Sequence, residues 1–463
     1  MKLHNISFDI VNKPPLDPSY IPIAAYNRAY ELSAAEGVPL KVAVLRENGQ
    51  CAVREGRIHG SEAFTEADML YLERMLKTML WSYGGHTALI CGLEEMARRL
   101  AGVYAPGGAR AFDAEFMSRI YEREFTVQSL RYDDAPERAA TPVPCGGNTR
   151  GCRIGFDAGG SDIKVSAVRE GEVIFSEEIV WHPKTQSDPS YHFDYILSAL
   201  VRAADYLPHV DSVGVSSAGV YVGNRCMAAS LFVKVEREVF DAHVKDIYKN
   251  AVAELGRRLG QGEIPLTVCN DGDVTALAGA MELGRGGILG IAMGTSEAGG
   301  FVDREGHING QLNELAFTPV DLSPEGAVDE WSGDRGTGAG YFSQDAVIRL
   351  AHSAGITLDR EMTPAEKLAA VQQAFVEGHP GTSKIYRSIG SYLGHQLPVY
   401  HDYYGMDDVL LMGRVLSGGG HLIVEEARRV LSEEYPEAAE KLTLHLPDEK
   451  NRRVGQSVAA ASL

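Results

Sequence analysis

Along residues 193–204 the apolar side chains Phe193, Ile196, Leu197, Leu200, Val201 and Ala204 recur at three- and four-residue intervals. That is the period of one helical face, so the spacing predicts an amphipathic helix with a buried stripe. Just before it the period shortens. The runs at 152–157, 162–168 and 173–180 are β-rich and separated by Gly159-Gly160 and Gly171, which predicts three successive strands joined by tight turns. A strand at 212–217, a helix at 240–259, a strand at 265–269 and a helix at 273–283 follow, and a strand at 288–294 then runs into another glycine turn. Alternation of this kind is the mark of an α/β fold, and the recurrence of strand, glycine turn and strand predicts two related lobes.

The region before residue 133 reads as a separate small α/β unit. Residues 41–58 hold two strand-like runs around Asn48-Gly49, the signature of a type I′ hairpin. A helix over 65–82 stopped by Gly84-Gly85, a strand at 87–91 and a helix at 93–103 are expected next. The aperiodic, Pro-, Gly- and Ala-rich stretch 133–151 reads as a linker. The predicted organisation is therefore an N-terminal domain at 1–132, a linker at 133–151, a first lobe at 152–285 and a second lobe at 286–463.

Composition narrows the function classes. With 463 residues, 44% hydrophobic and 23% charged, the chain is long enough for two or three cores and has the balance of a soluble globular protein. No stretch approaches the roughly 18–20 apolar residues of a membrane helix, and the first residues lack the basic and apolar regions of a signal peptide, so a cytoplasmic protein without membrane contact is expected. A net charge of −19 repels nucleic acid. The first 150 residues carry 17 Lys/Arg against 19 Asp/Glu, which is not the basic head of a DNA-binding protein. Cysteines 51, 91, 145, 152, 226 and 269 form no CxxC pair, so they read as reduced packed thiols, with Cys145–Cys152 the one pairing an oxidising setting would allow.

Four segments carry candidate chemistry. In 154–164 a strand delivers Asp157 to its end, and Gly159, Gly160 and Ser161 permit a turn whose N–H groups face phosphate oxygens, with Lys164 following. Asp157 is the candidate ligand of Mg²⁺, which favours one or two carboxylates together with phosphate oxygens; the plainer reading is an Asx-turn in a hairpin. In 289–302, Gly294, Thr295 and Ser296 form a second such turn, which taken alone is only a Gly-rich hairpin. In 268–281 a strand ends at Asn270-Asp271 and a helix starts at once, so Asp271 is either the helix cap or a general base with Asn270 orienting a substrate. In 408–431 a strand meets Gly413, and Gly418–Gly420 opens a helix, giving bare backbone on which a purine can lie.

Together these segments resemble the ROK family of repressors, unassigned reading frames and sugar kinases, built on the two-lobed actin-like ATPase (ribonuclease H-like) fold. The stretch 157–164 is similar to the family's first phosphate motif, 213–219 (with Ser217 and Gly219) to its connecting strand and turn, Asn270-Asp271 to its Asn-Asp pair, 294–300 to its second phosphate motif, and 412–420 (with Gly413 and Gly419) to its adenosine motif. The resemblance implies an ATP- and Mg²⁺-dependent transfer of the γ-phosphoryl group to a sugar or polyol hydroxyl, with Asp271 as base and Asn270, Ser217, Gly219 and Glu314 near the acceptor. A homodimer is the expected assembly. Departures accompany the matches. Phe317 stands where the family has a His, Glu330, Ser332 and Thr337 occupy its zinc-binding cysteine positions, and Ala339 replaces a second sugar-binding Glu. The zinc motif is thus missing and a simple hexose acceptor is put in question. Glu297 inside the second phosphate loop and Arg414 beside Gly413 are further departures. Two other readings stay open: a sugar sensor without catalysis, and an ATP-dependent enzyme with a non-sugar acceptor.

Overall fold

The computed structural model describes residues 1–140, 147–446 and 452–463, so Cys145 and the middle of the expected linker lie outside the described residues. Two compact units emerge: one joins residues 1–141, 291–299 and 311–446, the other residues 142–290, 300–310 and 447–463. The N-terminal segment thus shares a unit with residues 311–446, and the C-terminal residues share one with the strands that begin at Cys152.

The second of these units is organised by a five-stranded sheet in the order Leu266–Asn270, Ser212–Ser217, Cys152–Ala158, Asp162–Arg169, Glu172–Val180. The last three run antiparallel to their neighbours as a meander, while Ser212–Ser217 and Leu266–Asn270 lie parallel to Cys152–Ala158. All seven residues of Cys152–Ala158 are buried, as befits a central strand covered on both faces. Helix Pro189–Ala204 packs its apolar face on this sheet, with Ile196, Ala199, Leu200 and Ala203 at most 1% exposed. On the sheet lies the C-terminal helix Arg452–Ala461, and glycine permits it. Gly155 and Gly214 are register partners on adjacent strands. A Cβ on either would sit 1.7 Å from a helix carbonyl, that of Ser457 or Ala460. The expected helix over 240–259 is broken into a π-turn at Phe240–Val244 and a helix Ile247–Leu259.

The N-terminal part of the other unit is a four-stranded sheet in the order Cys51–Ile58, Val38–Leu45, Thr87–Cys91, Thr126–Leu130. Its first hairpin forms, but its loop is longer than the two-residue turn expected at Asn48-Gly49. One 3₁₀ turn spans Glu47–Gly49, so only Gly49 needs a positive φ, here 73°, where a type I′ turn needs two. Helix Thr65–Tyr83 ends against Gly84, whose φ of 80° and close approach to the Tyr121 hydroxyl exclude a side chain. A second four-stranded sheet runs in the order Glu297–Val302, Ile288–Met293, Asp408–Met412, Thr443–His445. The helix Thr382–Tyr404 is buried on nearly every side despite Pro398 within it.

Candidate active site

In the parallel part of the five-stranded sheet, the register Asp157↔Ser216 and Ser217↔Asn270 brings the expected catalytic residues to the C-terminal ends of three adjacent strands. Such ends are where open α/β sheets bind ligands. Asp157 is 4% exposed and accepts a hydrogen bond from the Ser216 hydroxyl at 2.7 Å. Burial raises its carboxyl to about 6, against the pull of Ser216 and Lys164, and the nearby charges of Asp271 and Asp162 add to the rise. The Asp271 carboxyl is likewise raised by burial. A buried carboxyl that resists ionising, with a second one nearby, is chemically suited to a hard divalent cation.

Asn270 is the cap of helix Asp271–Leu283: its Oδ1 accepts from the Gly272 N–H at 2.7 Å. Its Nδ2 donates to the Gly219 carbonyl at 2.7 Å. Both ends of this amide are therefore engaged within the chain, and they hold the turn that presents Asp271. Gly219 has φ 134°, and a Cβ there would lie 2.4 Å from the Ala228 carbonyl. Ser217 is fully buried and accepts from the Tyr221 and Tyr248 hydroxyls at 2.6 and 2.9 Å, so its side chain braces the strand end.

The first glycine hairpin is closed by the Gly159 N–H donating to the Asp162 carbonyl at 2.9 Å. Trp181 pins it from behind, its Nε1 donating to the Gly159 carbonyl at 2.8 Å and its N–H to that of Ser161 at 3.1 Å. Gly160 and Ser161 are left exposed at the tip. Lys164 pairs across the strands with Asp157 and reaches Asp162 at 3.1 Å. Sequence reading missed Lys184. It sits on the 3₁₀ turn Pro183–Thr185, and a Cβ on Gly160 would lie 3.4 Å from its Nζ, so an exposed ammonium stands over the hairpin tip. No motif flags it, because a single Lys in a polar turn has no periodic signature.

In the other unit the strand ending at Met293 leads to Gly294, whose N–H donates to the Ser296 carbonyl at 2.9 Å, leaving Thr295 and Ser296 exposed. Gly413 lies against this strand. Its φ is 105°, and a Cβ would be 2.2 Å from the Met293 carbonyl, so the expected adenosine segment abuts the second hairpin through bare backbone. Gly419 is covered by the Tyr386 ring, 2.3 Å from where its Cβ would be, and Arg414 is exposed with its carbonyl accepting from Gln372.

Glu297 points inward: it is 2% exposed, its Oε1 accepts from the Tyr400 hydroxyl at 3.1 Å, and its Oε2 has no partner. Burial outweighs the Tyr400 hydrogen bond and pushes its carboxyl up to about 8. It is therefore a neutral acid at pH 7, which removes the anion that the sequence placed in a phosphate loop. Glu314 is half-buried, and its N–H donates to the Trp81 carbonyl at 3.0 Å. Phe317 stacks on Trp81 with ring centres 4.2 Å apart. Glu330 is exposed, Ser332 hydrogen-bonds Asp329, Thr337 is buried and Ala339 half-buried.

Among the described residues, Cys51, Cys91, Cys152, Cys226 and Cys269 are buried and form no disulfide. Cys152, His209 and Asp211 gather at the opposite end of the five-stranded sheet. There Asp211 already accepts the Cys152 N–H at 2.7 Å and pairs with His209 at 3.2 Å.

A search of solved structures returns a ROK hexokinase from Thermus thermophilus at 18% identity and TM-score 0.51, covering 67% of this chain and 97% of that one. The chain has the ROK fold. A ROK-family transcriptional regulator, a homologue of the E. coli MLC protein, matches equally well at 15% identity and TM-score 0.51, over 68% of this chain and 78% of that one. This is the actin-like ATPase architecture expected from the motif order, and it is shared by kinases and regulators alike. No family model matches the sequence. No curated protein does either. Among the described residues no helix of this ROK-fold chain is long and apolar enough to cross a membrane.

Proposed function

We propose that the chain is an ATP-dependent kinase of the ROK family that transfers the γ-phosphoryl group to a hydroxyl of a sugar or sugar derivative. The observation that carries this reading is that Asp157 and the Asn270-Asp271 turn lie at the C-terminal ends of two parallel strands flanking Ser212–Ser217, with both carboxyls raised by burial and Asp157 raised further by the charge of Asp271. The cap is Asn270, and Asp271 Oδ1 accepts the same Gly272 N–H more weakly, at 3.0 Å. In this reading Asp271 takes the proton of the attacking hydroxyl, and its raised carboxyl brings it closer to the pH at which a base works well. Asn270 and Ser217 hold the strand ends, and Gly219 shapes the turn. Asp157 is the residue that would hold Mg²⁺, which when bound neutralises phosphate charge. In this reading the backbone N–H groups of Gly159–Ser161, with Lys164 and Lys184 supplying positive charge, and separately those of Gly294–Ser296 are donors suited to phosphate oxygens, while Gly413 and Gly419 let the expected adenosine segment pack closely on Met293 and Tyr386. Glu314 orients the acceptor. The same reading makes the protein a cytoplasmic homodimer.

A second reading, a sugar-sensing regulator, is favoured by the equal likeness to the MLC homologue. One experiment separates the two: thermal shift with Mg-ATP, then ADP release with D-glucose, N-acetyl-D-mannosamine, gluconate and glycerol. Stabilisation by Mg-ATP, about 2.7 kcal/mol at 100 times Kd, together with acceptor-dependent ADP release is the expected result. Sugar binding without either effect would favour the sensor.

A further inference from the structure

Helix Thr65–Tyr83 carries in its middle a lysine with no exposed surface, Lys77. A buried ammonium must be paired. Its Nζ donates to both Asp113 oxygens at 2.9 and 2.8 Å and lies 3.1 Å from Asp334. Asp334 also pairs with Arg110 at 2.6 Å and faces Arg74 at 3.6 Å, while both arginines pair with Glu73. Three cations and three anions balance, but only if Asp334 is counted, and Asp334 alone comes from the second half of the chain. Burial alone would raise its carboxyl; Lys77, Arg74 and Arg110 outweigh that and hold it down to about 2.

The same helix grips the segment bearing Glu314 by two other means. The last carbonyls of a helix have no partner within it. Here those of Trp81 and Ser82 accept the N–H groups of Glu314 and Asn313, each at 3.0 Å. The Trp81 ring stacks on Phe317, with Phe112 and Phe116 around them, and its Nε1 donates to Asp113 at 2.9 Å, tying the stack to the ion cluster. Asn313 is held at φ 54°, a left-handed conformation that Asn tolerates, with its Oδ1 accepting from Tyr404 at 2.9 Å.

We propose that the N-terminal segment is the positioning element for Glu314, acting through the Asp334 cluster and the Trp81–Phe317 stack, and that it thereby sets acceptor affinity. This rests on the kinase reading for the role of Glu314. Lys77, Trp81 and Asp334 touch no substrate in this scheme and are positioning residues.

The test uses the full chain with Asp334→Asn, Trp81→Ala and Trp81→Phe. Amide hydrogen exchange over 312–318 is followed alongside kinetics with D-glucose, N-acetyl-D-mannosamine, gluconate and glycerol. Asp334→Asn should speed exchange at residues 313 and 314 roughly tenfold. It should raise the KM of the acceptor about tenfold while changing the KM of ATP and kcat less than twofold. Trp81→Phe, which keeps a ring against Phe317, should restore most of what Trp81→Ala loses. Unchanged exchange, or a fall in kcat at constant acceptor KM, would overturn the proposal. Should Asp334→Asn fail to fold, Phe317→Leu carries the same two readouts. A wild-type chain that transfers to none of the four acceptors defeats the kinase reading; the exchange arm then decides alone whether the helix holds the segment.

Discussion

Replacing Glu297 by Gln should abolish a pH dependence of stability that the wild-type chain must show. Folded, this carboxyl keeps its proton up to about pH 8, whereas an ordinary glutamate releases it near 4.5. Between those values the folded state binds one proton more than the unfolded state, so stability falls as pH rises. The slope is about 1.4 kcal/mol per pH unit, giving about 4 kcal/mol between pH 5 and pH 8. Gln keeps the shape and the Tyr400 contact but cannot ionise. Urea unfolding of both proteins at pH 5, 6, 7 and 8 gives the difference between them, which cancels contributions from every other group. That difference should drift steadily against the wild type as pH rises and level off above pH 8. A difference constant across the series would show that Glu297 is ionised in the fold and that its unpartnered Oε2 is satisfied some other way.

Asp271→Asn should lower kcat by roughly two to four orders of magnitude with its urea midpoint retained, and near-normal turnover would remove Asp271 from the chemistry. Lys184→Ala should raise the KM of ATP about tenfold, equivalent to about 1.4 kcal/mol, while leaving Tm unchanged because the side chain is exposed; an unaltered KM would detach the lysine from the phosphate hairpin. Gly214→Ala places a methyl 1.7 Å from the Ala460 carbonyl and should cost about 1–3 kcal/mol in urea unfolding by displacing the C-terminal helix. A neutral result there would mean that the helix does not rest on the sheet.

What could be read from sequence is what local rules encode. Strand Ser212–Ser217 and helix Pro189–Ala204 fall where their period placed them, because each presents a buried face of regular spacing. The Asn270-Asp271 turn was legible as a helix start, but which residue caps it was not: the helix begins at Asp271, before the 273 expected, and moves the cap to Asn270. Helix Thr382–Tyr404 gave no signal. It is buried on nearly all sides, so no polar face alternates with an apolar one, and Pro398 reads as a break. Lys77 could not be singled out from sequence at all. A lysine inside a predicted helix reads as solvated, and nothing local says that Asp113 and Asp334 will surround it.

That cluster also bears on why Phe317 and Asp334 occur in one chain. A buried ion network is weak evidence for stability, since apolar residues of equal volume often serve as well, but removing one member strands the others. Its best-attested use is to fix register, and Asp334 has that character: three cations on the N-terminal helices accept one carboxylate in one place. Phe317 supplies the apolar half of the same contact by lying on Trp81, whose indole N–H is itself held by Asp113. A histidine at 317 would bring a polar ring into a nest of Trp81, Phe112 and Phe116, and a neutral residue at 334 would leave a buried cation uncompensated. Phe317, a departure from the family pattern, and Asp334 are in this sense the apolar and charged halves of one contact with the helix that they meet.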